Sequence, residues 1–241
     1  MKKTFSSKKS AFSLIELSIV LIVIGLLIAG ITGGASLIKS SELRSVMSEA
    51  RGYAVATNAF YSQYDSLPGD YNIAVGSEST YLGNNNGNIE FAATAATIPG
   101  SEGAVAWYAL RQIGAIDDAL TFAASSGSQT PGTNIPSSKI KSAGWIFSFV
   151  NSQNTVVLTR ATSGASDGEE ADDIATPALL PSDALSVDSK IDDGSANTGK
   201  VRSIINTADT DSATGCSGTN TYTIGGTVLT CAISYQIDVN S

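Results

Sequence analysis

The chain has 241 residues, 14 basic against 22 acidic, and a formal net charge of −8. That balance argues against a nucleic-acid binder, which needs a basic face. The absence of histidine removes Ser–His and Cys–His nucleophile pairs, imidazole zinc sites and a histidine general base. No enzymatic activity is expected.

The first eleven residues form a polar leader carrying Lys2, Lys3, Lys8 and Lys9. An apolar run begins at Phe12 and contains one carboxylate, Glu16; from Leu17 to Ile38 no residue is charged. At about 1.5 Å rise per residue, this is enough helix to cross a hydrocarbon core of roughly 30 Å. Gly25, Gly30, Gly33 and Gly34 lie within it, a composition that lipid tolerates better than water. Burying Glu16 at membrane depth costs a few kcal/mol, so it needs a partner. The nearest cation would be a new α-amino group, created by cutting between Ala11 and Phe12. Phe12 and Glu16 are four apart on one helix face.

Ser10-Ala11-Phe12-Ser13-Leu14-Ile15-Glu16-Leu17, after a Lys-rich leader and before an uncharged helix, resembles the class III signal of type IV pilins and type II secretion pseudopilins. The resemblance covers roughly the first 40 residues. It implies cleavage by a prepilin peptidase at Ala11–Phe12, N-methylation of Phe12, and pairing of Glu16 with the N-terminus of a neighbouring subunit. Ala11 stands where the family usually carries Gly. The partners implied are the peptidase, other copies and other pilin-like subunits, and an inner-membrane assembly platform. Removing the four leader lysines leaves 10 basic against 22 acidic residues, a net charge of −12.

Basic residues before the span and none after it until Lys39 orient the leader inward and the bulk outward. The expected location is the bacterial inner membrane, single-pass with a periplasmic domain, then a pilus or pseudopilus. Gly33-Gly34-Ala35 before Ser36 also fits a conventional signal cleavage site. The alternative is therefore an ordinary secreted or membrane-anchored, adhesin-like protein.

Leu43, Val46, Ala50, Tyr53, Thr57, Phe60, Tyr64 and Leu67 follow a 3-4-3-4 spacing, one apolar stripe on a helix. The helix is predicted to run from Phe12 to about Asp65 and to stop at Leu67-Pro68-Gly69-Asp70. Three parts follow: a leader (1–11), a long helix (12–66, with 12–38 in the membrane or filament core), and a globular domain (67–241). Tyr71 to Gly103, with Gly83-Asn-Asn-Asn-Gly87, reads as a long connecting loop. Glu102 to Ile116 is the best second helix, its Trp107 and Tyr108 expected in the core; Asp117-Asp118 follow, then a low-complexity stretch to Ser138.

Trp145–Val150 and Thr155–Arg160 are the strongest strands and predict a β-hairpin across Asn151–Asn154. Further strands are expected at Gly199–Ile205, at Thr221–Leu229 with a turn at Gly225-Gly226, and at Ala232–Val239. The fold class is α+β: about four antiparallel strands packed on the second half of the first helix, the lollipop fold that the resemblance implies. Cys216 and Cys231 fall outside the cytoplasm in this topology and read as a disulfide, worth about 3 kcal/mol for a loop of this size.

No cofactor is expected, calcium being the one candidate. Asp167 to Asp173 and Asp209 to Asp211 read as solvated loop charge. Ala184 to Gly194 reads as a short helix with Leu185, Val187 and Ile191 inward, ended by Asp192-Asp193-Gly194. Asp188, Asp192 and Asp193 are the calcium candidates, although they lack the Asp-x-Asp-x-Asp-Gly spacing.

Overall fold

The structure, a computed structural model, describes residues 13–71, 83–90, 102–117, 120, 128–160, 162–163, 176–204, 215–218 and 220–238. The elements are α1 (Leu14–Tyr64), α2 (Glu102–Gln112), β1 (Ser128–Gln129), β2 (Ala143–Val150), β3 (Gln153–Arg160), β4 (Thr162–Ser163), α3 (Pro181–Ile191), β5 (Val201–Ile204) and β6 (Ala232–Gln236). The chain divides into two compact units, with the boundary between Ser41 and Glu42.

The first unit is the leading part of α1, a helix of 51 residues. Its start is fixed locally: the Ser13 backbone N–H donates to Glu16 Oε2 at 2.8 Å, half of a capping box. The helix then runs without interruption through Gly25, Gly30, Gly33 and Gly34. Every large apolar side chain from Leu14 to Ile38 is between 47% and 89% exposed. By length and composition this helix could span a membrane.

In the second unit α1 buries Leu43, Val46, Ala50, Ala56, Thr57 and Phe60, with Tyr53 and Tyr64 half-buried against the same core. These are the stripe residues, with Ala56 added. Asp65, at a φ of 52°, turns the chain out of the helix, and Leu67 is buried below it.

β2, β3, β6 and β5 lie in that order in one antiparallel sheet. β2 pairs with β3 through Trp145 opposite Leu158 and Phe147 opposite Val156. The loop between them is only Asn151-Ser152, both at positive φ (52° and 59°), the backbone a tight two-residue hairpin requires. β6 sets Tyr235 opposite Val156 and Val201. α1, α2 and β2 meet in an aromatic cluster: Tyr53 lies 4.9 Å from Trp107 and 5.9 Å from Trp145, and Trp107 lies 4.3 Å from Phe147. Trp107 is fully buried and Tyr108 half-buried.

Three expectations are corrected. α2 stops at Gln112, not Ile116, because Gly114 takes a φ of 70°. Ala115 N–H then reaches Leu110 O and Gly114 N–H reaches Arg111 O, the glycine-closed helix end of a Schellman motif. Thr221–Leu229 is not a strand. Tyr222 makes one bridge with Ser217, and Ile224 and Val228 are each 67% exposed. Thr230 and Cys231 N–H both donate to Leu179 O, so the chain just after this stretch is tied to the segment before α3. Lastly, the stretch between α2 and β2, read as low-complexity, contributes β1, which pairs with β4.

Candidate functional site

Of the residues expected to act in processing, Ala11 and Phe12 lie outside the described residues. Glu16 lies in the first turn of α1, exposed, with its carboxylate on the Ser13 N–H. Ser13-Leu14-Ile15-Glu16 is itself a capping-box sequence, so the same carboxylate that would meet a partner also closes its own helix start.

A second constellation is built from carboxylates in the 67–103 region. The Leu67-Pro68-Gly69-Asp70 turn brings Gly69, at a φ of 89°, against α2: a Cβ there would sit 2.1 Å from Glu102 O. Asp70 and Glu102 are both buried. Asp70 accepts the backbone N–H of Asn86 at 3.0 Å and of Gly87 at 2.6 Å. Glu102 accepts the N–H of Asn84 at 3.0 Å and of Glu90 at 3.1 Å. The loop's outer side is tied by Glu90, whose carboxylate takes the side-chain amides of Asn84 and Asn86. Asn154 of β3 holds the loop to the sheet, accepting from Ile89 N–H at 2.7 Å and donating to Gly87 O at 2.9 Å.

Burial pushes the Glu102 carboxyl up to about 7, against the lowering effect of its two N–H donors, with negative Asp70 and Glu90 adding to the rise. Asp70 is raised for the same leading reason, and its backbone donors oppose it. A desolvated carboxylate among like charges resists ionisation.

The third constellation is the turn after α3. Asp188 is fully buried; its Oδ2 accepts the Tyr222 hydroxyl at 2.9 Å and its Oδ1 the Gly194 N–H at 3.3 Å. Burial pushes its carboxyl up to about 6. Asp192 accepts the Lys200 N–H and, at 3.4 Å, the Val201 N–H. Asp193 accepts from Ser195 N–H at 2.8 Å and the Thr198 hydroxyl at 2.6 Å. The hydroxyl, followed by that N–H, holds Asp193 below the usual carboxylate range.

One oxygen of each of Asp188, Asp192 and Asp193 lies within 4.8 Å of the others, so the calcium candidates do converge. They fit the ion poorly. Calcium takes six to eight oxygens, whereas these three carboxylates are already taken up by N–H and O–H donors that fold the turn. Their evident work is structural. The other acidic candidates, Asp167 to Asp173 and Asp209 to Asp211, lie outside the described residues.

Cys216 and Cys231 form the expected disulfide. It closes a loop from which Ile224 and Val228 project, and Cys231 also bridges to Leu179. The Asp188–Tyr222 pair lies inside this arrangement, since Thr223 N–H donates to Cys216 O.

Sequence reasoning passed over Glu102, Asp70 and Tyr222. Glu102 marks a helix start and Asp70 a turn, both ordinary exposed positions for an acid. Two glycines could have signalled otherwise: Gly69 beside Asp70 and Gly103 beside Glu102 mark close backbone approaches, which bury the neighbouring carboxylates. Comparison with protein-family models, with curated proteins and with solved structures returned no match.

Proposed function

We propose that this chain is a structural subunit of a type IV pilus or a type II secretion pseudopilus, with a minor or specialised subunit favoured by its length. The precursor sits in the bacterial inner membrane with residues 67–241 in the periplasm. A prepilin peptidase removes residues 1–11 and methylates Phe12, and the helix then leaves the bilayer to pack against other copies.

The observation that carries this reading is the surface of α1. Fifteen large apolar side chains between Leu14 and Ile38 lie exposed. Covering each contributes about 1.5–3 kcal/mol, so leaving the set in water would cost tens of kcal/mol. Lipid or neighbouring helices must cover them. Glu16 separates those two environments: in lipid it is a liability, while beside the α-amine of a second copy it becomes half of an ion pair. Gly25, Gly30 and Gly33, with no atom near the place of a Cβ, permit close helix approach.

Glu16→Gln tests the charge separately from the helix cap, because a glutamine carbonyl still accepts the Ser13 N–H. Membrane insertion should be unchanged and fibre yield should fall sharply. Normal fibre yield from Glu16→Gln would remove the pairing role.

The conventional-signal reading rests on Gly33-Gly34-Ala35 ahead of Ser36. It makes α1 up to Ala35 disposable in the mature protein, and it leaves Glu16 without a purpose beyond its cap.

A further inference from the structure

α1 and the chain leaving α2 enclose an open cleft of about 310 Å³, lined by Glu49, Gly52, Tyr53, Ala115, Ile116 and Asp117. Gly114, at a φ of 70°, turns the chain out of α2 just before this wall begins. On the helix side Glu49 is held in place by Ser138, Lys139 and Trp145; on the other side Asp117 stands exposed. We propose that this cleft receives the guanidinium of Arg44 from a second copy of the chain, a contact that rests on the filament-subunit reading and repeats from copy to copy.

The lining carries two carboxylates and no cation, beside the Tyr53 ring. An arginine suits both, since its planar group donates to carboxylates and stacks on aromatic faces. Three donors already occupy Glu49, which leaves one of about four acceptor sites, and Asp117 supplies the second charge. Lys139 meets Glu49 through its backbone and does not line the cleft. The volume is at the small end for a ligand pocket, room for one long side chain. Gly52 has no explanation within the chain. It lies in the interior of α1, where glycine weakens a helix, yet a Cβ there would meet no atom within 4 Å among the described residues. The missing side chain relieves no internal clash; it keeps the cleft open to a group from outside.

Arg44 is exposed and lies five positions before Glu49, so the two do not share a helix face. At about 100° per residue, Arg44 is roughly 80° from Gly52 and 140° from Glu49 around α1. Cation and cleft therefore occupy different flanks of one helix. That is a head-to-tail contact, which extends into an open helical filament when its rotation does not close. The residue offsets agree with the pairing at the N-terminus. A copy displaced by four positions sets its Phe12 beside Glu16, and one displaced by five sets its Arg44 beside Glu49. Arg51, also exposed, would need a displacement in the opposite sense. Both copies are net acidic, and a contact between opposite charges offsets their repulsion.

Fibre yield from full-length chains, in bacterial cells carrying an assembly platform, tests this alongside urea unfolding of the same variants. Gly52→Leu fills the cleft from the helix side without a clash, so its urea midpoint should hold while fibre yield falls at least about tenfold. Arg44→Glu should lower the yield as much, and Arg44→Glu combined with Asp117→Arg should recover most of it. Normal yield from Gly52→Leu, or no recovery in the reversed pair, overturns the proposal. Should Gly52→Leu lower the urea midpoint, the reversed pair alone decides. Loss of fibres in Glu16→Gln with normal yield in Gly52→Leu overturns the cleft contact and leaves the subunit reading standing. An unaltered chain that makes no fibres overturns both.

Discussion

The Glu49 carboxylate of α1 accepts the indole N–H of Trp145 in β2 at 2.8 Å, across 96 positions of sequence. The same oxygen takes the Ser138 hydroxyl at 2.7 Å, and its mate takes the Lys139 N–H at 3.0 Å. One acidic side chain on the helix thus gathers three donors from β2 and the segment before it, beside the Tyr53–Trp145 ring contact.

Glu49→Ala should therefore destabilise the globular domain by about 2–3 kcal/mol, because it strands the buried Trp145 N–H as well as removing charge-assisted bonds. Urea unfolding followed by tryptophan fluorescence would measure it. A loss below about 0.5 kcal/mol would mean that water replaces the carboxylate at no cost.

Gly69→Ala should cost more than an ordinary glycine replacement in a turn. The new methyl would meet Glu102 O at 2.1 Å, and the backbone would be held at a φ of 89°. Strain of this kind costs on the order of 1–3 kcal/mol, and relief requires the turn to move off α2. Expected outcomes are a lower midpoint in urea and faster exchange at the Asn86 and Gly87 amides, with little change at Val157.

Tyr222→Phe removes one donor from a buried carboxylate and replaces it with nothing. Asp188 should become harder to ionise than it already is, and stability should fall by about 1–3 kcal/mol. The pH dependence has a definite sign. A carboxyl raised by burial favours the folded state most below its ordinary value of 3.8, and that contribution is lost as pH rises through about 6. Thermal denaturation at pH 5 and pH 8 should show the variant losing more stability over that interval than the parent.

Much of this arrangement was legible in the sequence. The 3-4-3-4 stripe from Leu43 to Leu67 placed the second half of α1 on its core. The aromatic and β-branched Trp145–Val150 and Thr155–Arg160 segments, with a polar break between them, produced the β2–β3 hairpin. Compartment reasoning paired Cys216 with Cys231. What escaped was long-range polar chemistry: nothing local marks Glu49 as the partner of Trp145, Asp188 as that of Tyr222, or Asp70 and Glu102 as joint holders of one loop. A polar contact between distant segments leaves no periodicity. The Thr221–Leu229 error has a related cause, since its β-type composition was genuine but the chain around it is tied off by single bridges, Ser217–Tyr222 and Leu179–Cys231, that its composition does not announce.

The central claim is that Phe12 heads the mature chain and supplies the amine that Glu16 meets. Mass spectrometry of the N-terminal peptide from protein isolated in fibres tests it most directly. The account predicts a peptide beginning at N-methylated Phe12, with Glu16 retained. A peptide beginning at Ser36, or working fibres whose subunits still carry residues 1–11, would contradict it.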